Sequence, residues 1–169
     1  MFRKMIALAL AAMLLVCGCA LADTNYSDRD EMLTLTYDDA LFEIALEDYA
    51  SEDANADLVL ILTGKNEAWG ETDIEILRIQ ETIADADIAE LEEALGIQTE
   101  RGEWNGFENV ISYSFEEENL TEATHIIQYD DTHTLTVSVL AESLEDEELL
   151  TQRDDAVSAV LDSLKLQAK

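Results

Sequence analysis

Proline is absent from this 169-residue chain, glycine occurs six times, and the two cysteines lie within the first nineteen residues. With no Gly/Ser-rich linker, proline stretch or internal repeat to divide it, the chain reads as one continuous domain behind a short leader. Basic residues are scarce too. Nine Lys and Arg stand against 39 Asp and Glu, for a formal net charge of −30. Such a surface repels nucleic acid and anionic lipid and excludes both as partners. The acids are spread along the chain, with short runs only at Glu116 to Glu118 and Glu145 to Glu148, so their first role is solvation.

What is present at the start is an export signal. Arg3 and Lys4 precede an apolar run from Met5 to Val16, and small residues follow. The run falls well short of the roughly twenty residues that span a bilayer. No later segment is long and apolar enough to do so. Two cut sites compete. Ala20-Leu21-Ala22 is a small-x-small site, and cleavage after Ala22 releases a soluble chain beginning at Asp23. Val16-Cys17-Gly18-Cys19 instead resembles a lipobox, in which Cys19 is lipidated and residues 1–18 are removed. The acyl chains of Cys19 would then be the only attachment to a membrane. Either cut places the protein outside the cytoplasm, secreted or membrane-anchored. Neither leaves a cysteine for a disulfide, a thiol nucleophile or a metal.

The expected organisation is therefore a signal peptide over residues 1–22, a flexible polar leader over 23–30, and a single domain over 31–169. Leu33, Leu35 and Tyr37, then Phe42, Ile44 and Leu46, alternate with other residues at the period of half-buried strands. Asp38 to Leu41 is expected to join them as a hairpin. Leu58 to Leu62 reads as a central strand covered on both faces. Gly64 to Gly70 turns the chain into a strand over 72–80, where the shift from Ile74 and Ile76 to Leu77 and Ile79 suggests a bulge.

A helix follows, opened by a capping-box-like Asp87 and Glu90 and stopped by Gly96. Asn105-Gly106 marks a turn before a strand carrying Ile111, Tyr113 and Phe115. A hairpin over 123–140 turns at Asp130-Asp131-Thr132. The final helix, over about 146–164, lines one side with Leu150, Val157, Val160, Leu161 and Leu164 and leaves Arg153, Asp155 and Asp162 for the other. Hairpins dominate over βαβ crossovers. The fold class is α+β, with a mainly antiparallel sheet of about seven strands and two packed helices.

Three segments carry a family resemblance: Leu41-Phe42-Glu43-Ile44-Ala45-Leu46, Glu103-Trp104-Asn105-Gly106, and His125 to Asp131 with Thr134 to Val137, followed by a last helix reaching Ser163-Leu164-Lys165. In this order of elements the chain resembles the PsbP/DcrB-like group of small exported α/β-sandwich proteins. The resemblance covers nearly the whole exported portion as a pattern of elements. It implies a sandwich fold and, since most members bind or assemble, a non-catalytic role. The family's members range from an extrinsic photosystem subunit to a bacterial envelope lipoprotein and a Ran-binding import factor. No functional residue of the family has a motif here to carry over.

The residues themselves offer little chemistry. Asp53-x-Asn55-x-Asp57 matches the opening ligands of a calcium loop, but Leu58 stands where glycine belongs and Gly64 where the bidentate glutamate belongs. His125 and His133 are the only histidines. In a hairpin with a three-residue loop they share a face roughly 13 Å apart, and with a two-residue loop they point to opposite faces, so they cannot share one ion. His125, beside Ile126 and Ile127, reads as a structural histidine. No Gly-x-Ser-x-Gly elbow or Gly-rich phosphate loop occurs. Trp69 and Trp104 each lie beside a glycine turn, where they anchor loops to the core or form a patch for a partner. The expectation is a non-catalytic binding or assembly protein with no catalytic, metal or cofactor residues, whose partner is another protein or a small ligand. The alternatives are a low-affinity calcium binder and an unrecognised hydrolase.

Overall fold

A computed structural model describes residues 23–49, 56–128 and 130–167. Ten strands and two α-helices make up an α+β fold among these residues. Seven strands form one antiparallel sheet: β3 (Phe42–Asp48), β4 (Leu58–Gly64), β5 (Thr72–Ile79), β9 (Thr134–Glu142), β8 (Leu120–Gln128), β7 (Phe107–Glu117) and β6 (Glu100–Trp104), in that spatial order. A second sheet of three strands runs β1 (Asp23–Ser27), β2 (Leu33–Asp38), β10 (Lys165–Leu166). Helix α1 (Asp85–Leu95) and helix α2 (Glu147–Ser163) complete it.

The main core lies between the large sheet and a layer made of the small sheet and α2. Leu58, Leu60 and Leu62 of β4, Ile74 and Ile76 of β5, and Leu135 and Val137 of β9 point into it from the large sheet. Tyr26, Leu33 and Leu35 meet them from the small sheet, and Val157, Val160 and Leu164 from α2. Burying a leucine or isoleucine side chain stabilises by roughly 1.5–3 kcal/mol, so this layer dominates the fold. On the opposite face of the sheet, Ile88 of α1 packs on Ile111 and Ile126, with Ile83, Leu91 and Tyr113 around them.

Several sequence expectations need correction. Strands β2 and β3 do not form a hairpin: β2 pairs with β1 and β10, whereas β3 pairs with β4. The Leu41 N–H donates to the Asp38 carbonyl at 3.0 Å, closing a tight turn between the two layers. Alternation fixes which face of a strand is buried, but it does not choose the neighbour. Residues 23–27, expected within a flexible leader, form β1, because the single large apolar residue there, Tyr26, buries itself beside Leu35. The Leu58–Leu62 strand is interior and buried on both faces as expected, although the middle place in the sheet falls to β9.

The bulge is also displaced. Strand β5 alternates without interruption from Thr72 to Ile79, and the register shift falls in β3 between Ile44 and Leu46. Position 78 is therefore an inward one, and it is filled by a buried arginine. Arg153, expected on the outer side of α2, is likewise buried, and its Nη1 donates to the Glu142 carbonyl. Helix α1 begins at Asp85, and Asp87 accepts the Ala84 N–H at 2.7 Å rather than opening the helix itself.

Other signals hold. Gly96 ends α1 in the left-handed conformation at φ 66°. Asn105 and Gly106 turn with φ 48° and 79°, the pattern of a type I′ hairpin. Asp146 caps α2, accepting the N–H groups of Glu148 and Leu149. The Asn105 amide also donates to the carbonyls of Leu161 and Leu164 at 2.8 and 3.0 Å, tying the β6–β7 turn to the end of α2.

Candidate ligand cavity

A cavity of about 650 Å³ opens where β1 and β2 meet α2 above the start of β3. Small residues make the room. Ala156 and Ala159 face it from α2, and Phe42 and Trp69 form its floor with ring centroids 6.1 Å apart. The helix is held at this spacing by Ser163, whose Oγ accepts the Thr36 N–H at 2.7 Å.

Two of the lining residues carry a buried polar atom without a partner. Asp38 ends β2 and is 9% exposed; its Oδ1 accepts the Ala40 N–H at 2.8 Å. Its Oδ2 is buried and has no hydrogen-bond partner among the described residues. Trp69 ends a short 3₁₀ turn (Glu67–Trp69), is 2% exposed, and its Nε1 is buried without a partner in the same sense. Both residues line the cavity. Leaving one such atom unsatisfied costs about 1–3 kcal/mol, more for a charged group, and native folds keep few of them. The remaining charged residues of the lining, Asp23 and Asp155, are acidic.

The same geometry answers the expectation about the tryptophans. Trp69 belongs to the core and cannot present an exposed partner patch, because its ring is the floor on which Phe42 packs. Trp104 is half-buried and stacks on His125 with ring centroids 4.3 Å apart.

His125 sits on β8 directly opposite Ser112 of β7, and its Nδ1 lies 2.8 Å from Ser112 Oγ. Burial pushes the His125 pKa below its ordinary value, because desolvation disfavours the charged ring. His133 lies just before β9 instead, with Nδ1 2.9 Å from Asp130 Oδ2. Asp130 accepts the N–H groups of Thr132 and His133, and with them its pKa falls to about 2. The hairpin register, Gln128 opposite Thr134, corresponds to the three-residue-loop alternative.

The strongest ion cluster lies elsewhere. Arg78 donates through Nε to Asp57 at 2.7 Å, through Nη1 to Asp28 at 2.7 Å, and through Nη2 to Asp30 at 3.2 Å. It joins the large sheet to the β1–β2 connection. Asp57, the third position of the calcium-like spacing, is committed to this guanidinium, while Asp53 and Asn55 lie outside the described residues. Among the described residues no three His, Cys, Asp or Glu side chains converge as a metal site. No helix among them is long and apolar enough to cross a membrane. Cys19 and Ala22 lie outside the described residues.

Comparison with known proteins adds little. No protein-family model matches the chain, and no curated protein does. A crystal structure from Bacteroides thetaiotaomicron VPI-5482 is similar over 86% of this chain and 48% of its own, at 12% identity and a TM-score of 0.49. The chain thus spans about half the length of that structure.

Sequence reasoning missed Asp38, which it placed in a hairpin loop, and Arg78, which it did not single out. The parity of β5 was the available signal for Arg78, since Thr72, Ile74 and Ile76 share its face. Nothing local marks the cavity. It is formed by residues from β1, β2, β3, the 3₁₀ turn and α2.

Proposed function

We propose that this chain is an exported, acidic, non-catalytic binding protein of the bacterial cell envelope or secreted fraction, and that it takes a small ligand in the cavity beside Asp38 and Trp69. One observation carries the reading: an apolar cavity of about 650 Å³ is lined by two residues whose buried polar atoms lack partners. Ligand sites are commonly apolar concavities of roughly this size with a few polar groups that fix orientation. Export is supported by Arg3, Lys4 and the apolar run to Val16. The order of elements that resembles PsbP/DcrB-like sandwich proteins is in keeping with a binding role.

The test is to fill the cavity. Ala159→Phe, at an exposed helix position that also lines the cavity, should leave the far-ultraviolet circular dichroism intact. It should abolish the rise in Tm that a small-molecule panel gives the unaltered full chain. A panel that raises the Tm of both proteins equally would place binding elsewhere. Intact mass from membrane and medium fractions separates a diacylated chain starting at Cys19 from a free one starting at Asp23.

The Ser112–His125 contact favours a second reading, a hydrolase, since 2.8 Å is the reach of a nucleophile and its base. Trp104 stacks against the histidine ring, and neither Ser112 nor His125 lines the cavity described above. Ser112→Ala abolishing turnover of an ester substrate would establish that reading over the first.

A further inference from the structure

We propose that signal cleavage after Ala22 completes the domain electrostatically: it turns the Asp23 nitrogen into an α-ammonium that serves as the counter-charge of Asp38. The inference rests on the reading of the chain as exported, and it adds a structural consequence of where the leader is cut.

Register brings the two groups together. Strand β1 begins at Asp23, and Asp23 is the direct cross-strand partner of Asp38, which ends β2. Paired residues of an antiparallel ladder have Cα atoms about 5 Å apart, and each backbone nitrogen is one bond from its Cα. In the uncut chain the Asp23 nitrogen is a neutral amide bonded to Ala22. Hydrolysis of that bond sends the water oxygen to the Ala22 carbonyl carbon, which leaves as a carboxylate. Both water protons go to the Asp23 nitrogen, which becomes a cation. The nitrogen need not move to gain this charge, because pairing from Asp23 to Ser27 already holds β1 on β2.

Asp38 is the residue that lacks a counter-charge. It is nearly buried, its Oδ1 holds the Ala40 N–H, and its Oδ2 has no hydrogen-bond partner among the described residues. A carboxylate held away from water without an opposite charge opposes folding. Side chains nearby do not relieve it. The other charged residues around the cavity, Asp23 and Asp155, are acidic, and none of the lining is basic. Lys65, in the connection after β4, donates Nζ to the Asp39 carbonyl at 2.7 Å and does not line the cavity. The α-ammonium acts as a charge beside the carboxylate, not as a donor to the enclosed Oδ2.

The two cut sites are therefore not equivalent. Cleavage after Ala22 places a cation opposite Asp38. Removal of residues 1–18 leaves the Asp23 nitrogen as an amide inside the chain, behind Cys19 to Ala22, and the pair does not form.

The test compares two exported chains, one beginning at Asp23 and one retaining Ala20-Leu21-Ala22, each released from a carrier without foreign residues. Both carry one α-ammonium and the same charged side chains, so only the place of the terminal charge differs. Near neutral pH the chain beginning at Asp23 should melt about 2 °C higher, the size expected of one partly exposed ion pair in a domain of this length. With Asp38→Asn in both chains, the two should melt together. The groups facing the ammonium are the Asp23 side chain, Tyr37 and Asp38 of β2, and Asp155 of α2. Its acidic neighbours raise its pKa on folding. The advantage is therefore full below the ordinary α-amino value of about 7.7–8 and is lost as pH rises through the raised one. That pH series needs no substitution, so it decides the matter even where Asp38→Asn does not fold. Equal melting of the two chains near neutral pH, or an advantage that persists in Asp38→Asn or in strong alkali, would overturn the inference. Intact mass of the host's own protein tests the premise separately. A start at Asp23 supports it, and a start at Cys19 would overturn any role for the pair in the mature protein.

Discussion

Asp28 and Asp38 stand at the ends of neighbouring strands, both nearly buried, and they begin alike. Each spends Oδ1 on a backbone N–H of the following turn, Leu33 for Asp28 and Ala40 for Asp38, at 2.8 Å in both cases. They part at the second oxygen. Asp28 Oδ2 meets Arg78 Nη1 at 2.7 Å, and Asp38 Oδ2 meets nothing among the described residues. The first is a closed joint between the two sheets. The second is a buried, unmatched oxygen on a residue that lines a cavity. The same residue type in the same local role thus becomes structural or available according to what the tertiary fold brings up behind it.

The comparison can be broken from the structural side first. Arg78→Met should have the largest effect, a loss of about 3–5 kcal/mol in urea unfolding, because it strands the Asp28 charge in the interior. Asp28→Asn should cost less, about 1–3 kcal/mol, since the amide oxygen still accepts from Leu33 while the charge-assisted bond to Arg78 is lost. Asp38→Asn should then change the stability of the ligand-free protein by less than about 1 kcal/mol, because no bond to Oδ2 is broken. If Asp28→Asn and Asp38→Asn destabilise equally, the distinction between closed and open aspartates fails.

The smallest effects sharpen the contrast between held and crowded carboxylates through pH. Asp130 has its pKa lowered to about 2 by the Thr132 and His133 N–H groups. Its contribution is present above its unfolded value of about 4 and lost as pH falls through 2. Asp130→Asn should flatten the acid limb of the Tm profile there. Glu75 has the opposite shift, raised by burial and by the nearby Asp73 and Glu122. Its ionisation opposes folding, so stability falls as pH rises from the ordinary glutamate range to the raised value. Glu75→Gln should remove that decline, which a Tm series through the weakly acidic range detects.

Much of the fold was legible because its signals are local. Asp146 at the start of α2, Gly96 at the end of α1 and Asn105-Gly106 between β6 and β7 each act on their own few residues of backbone. The alternation in β2, β3 and β7 marked strands correctly. The pairing of β2 was not legible, because a short loop after Asp38 serves a corner between layers as readily as a hairpin. Strand β1 was missed because Tyr26 alone among Asp23 to Ser27 has a large apolar surface to bury, so the segment shows no alternation of its own and is ordered by pairing with β2. In so acidic a chain, the aspartates that matter look like those that only solvate. Asp28 and Asp57 became distinguishable once Arg78 was found between them.

By itself, then, the sequence determined the α+β class, most element boundaries and the surplus of negative charge, since each depends on composition or on contacts within a few residues. The tertiary structure alone decided that β2 leaves β3 for a second sheet, that two arginines turn inward, and that Asp38 and Trp69 line one cavity with a polar atom apiece left over. These are consequences of long-range packing. Which residues come together is set by the burial of whole faces, and no local pattern encodes the gap that remains between them.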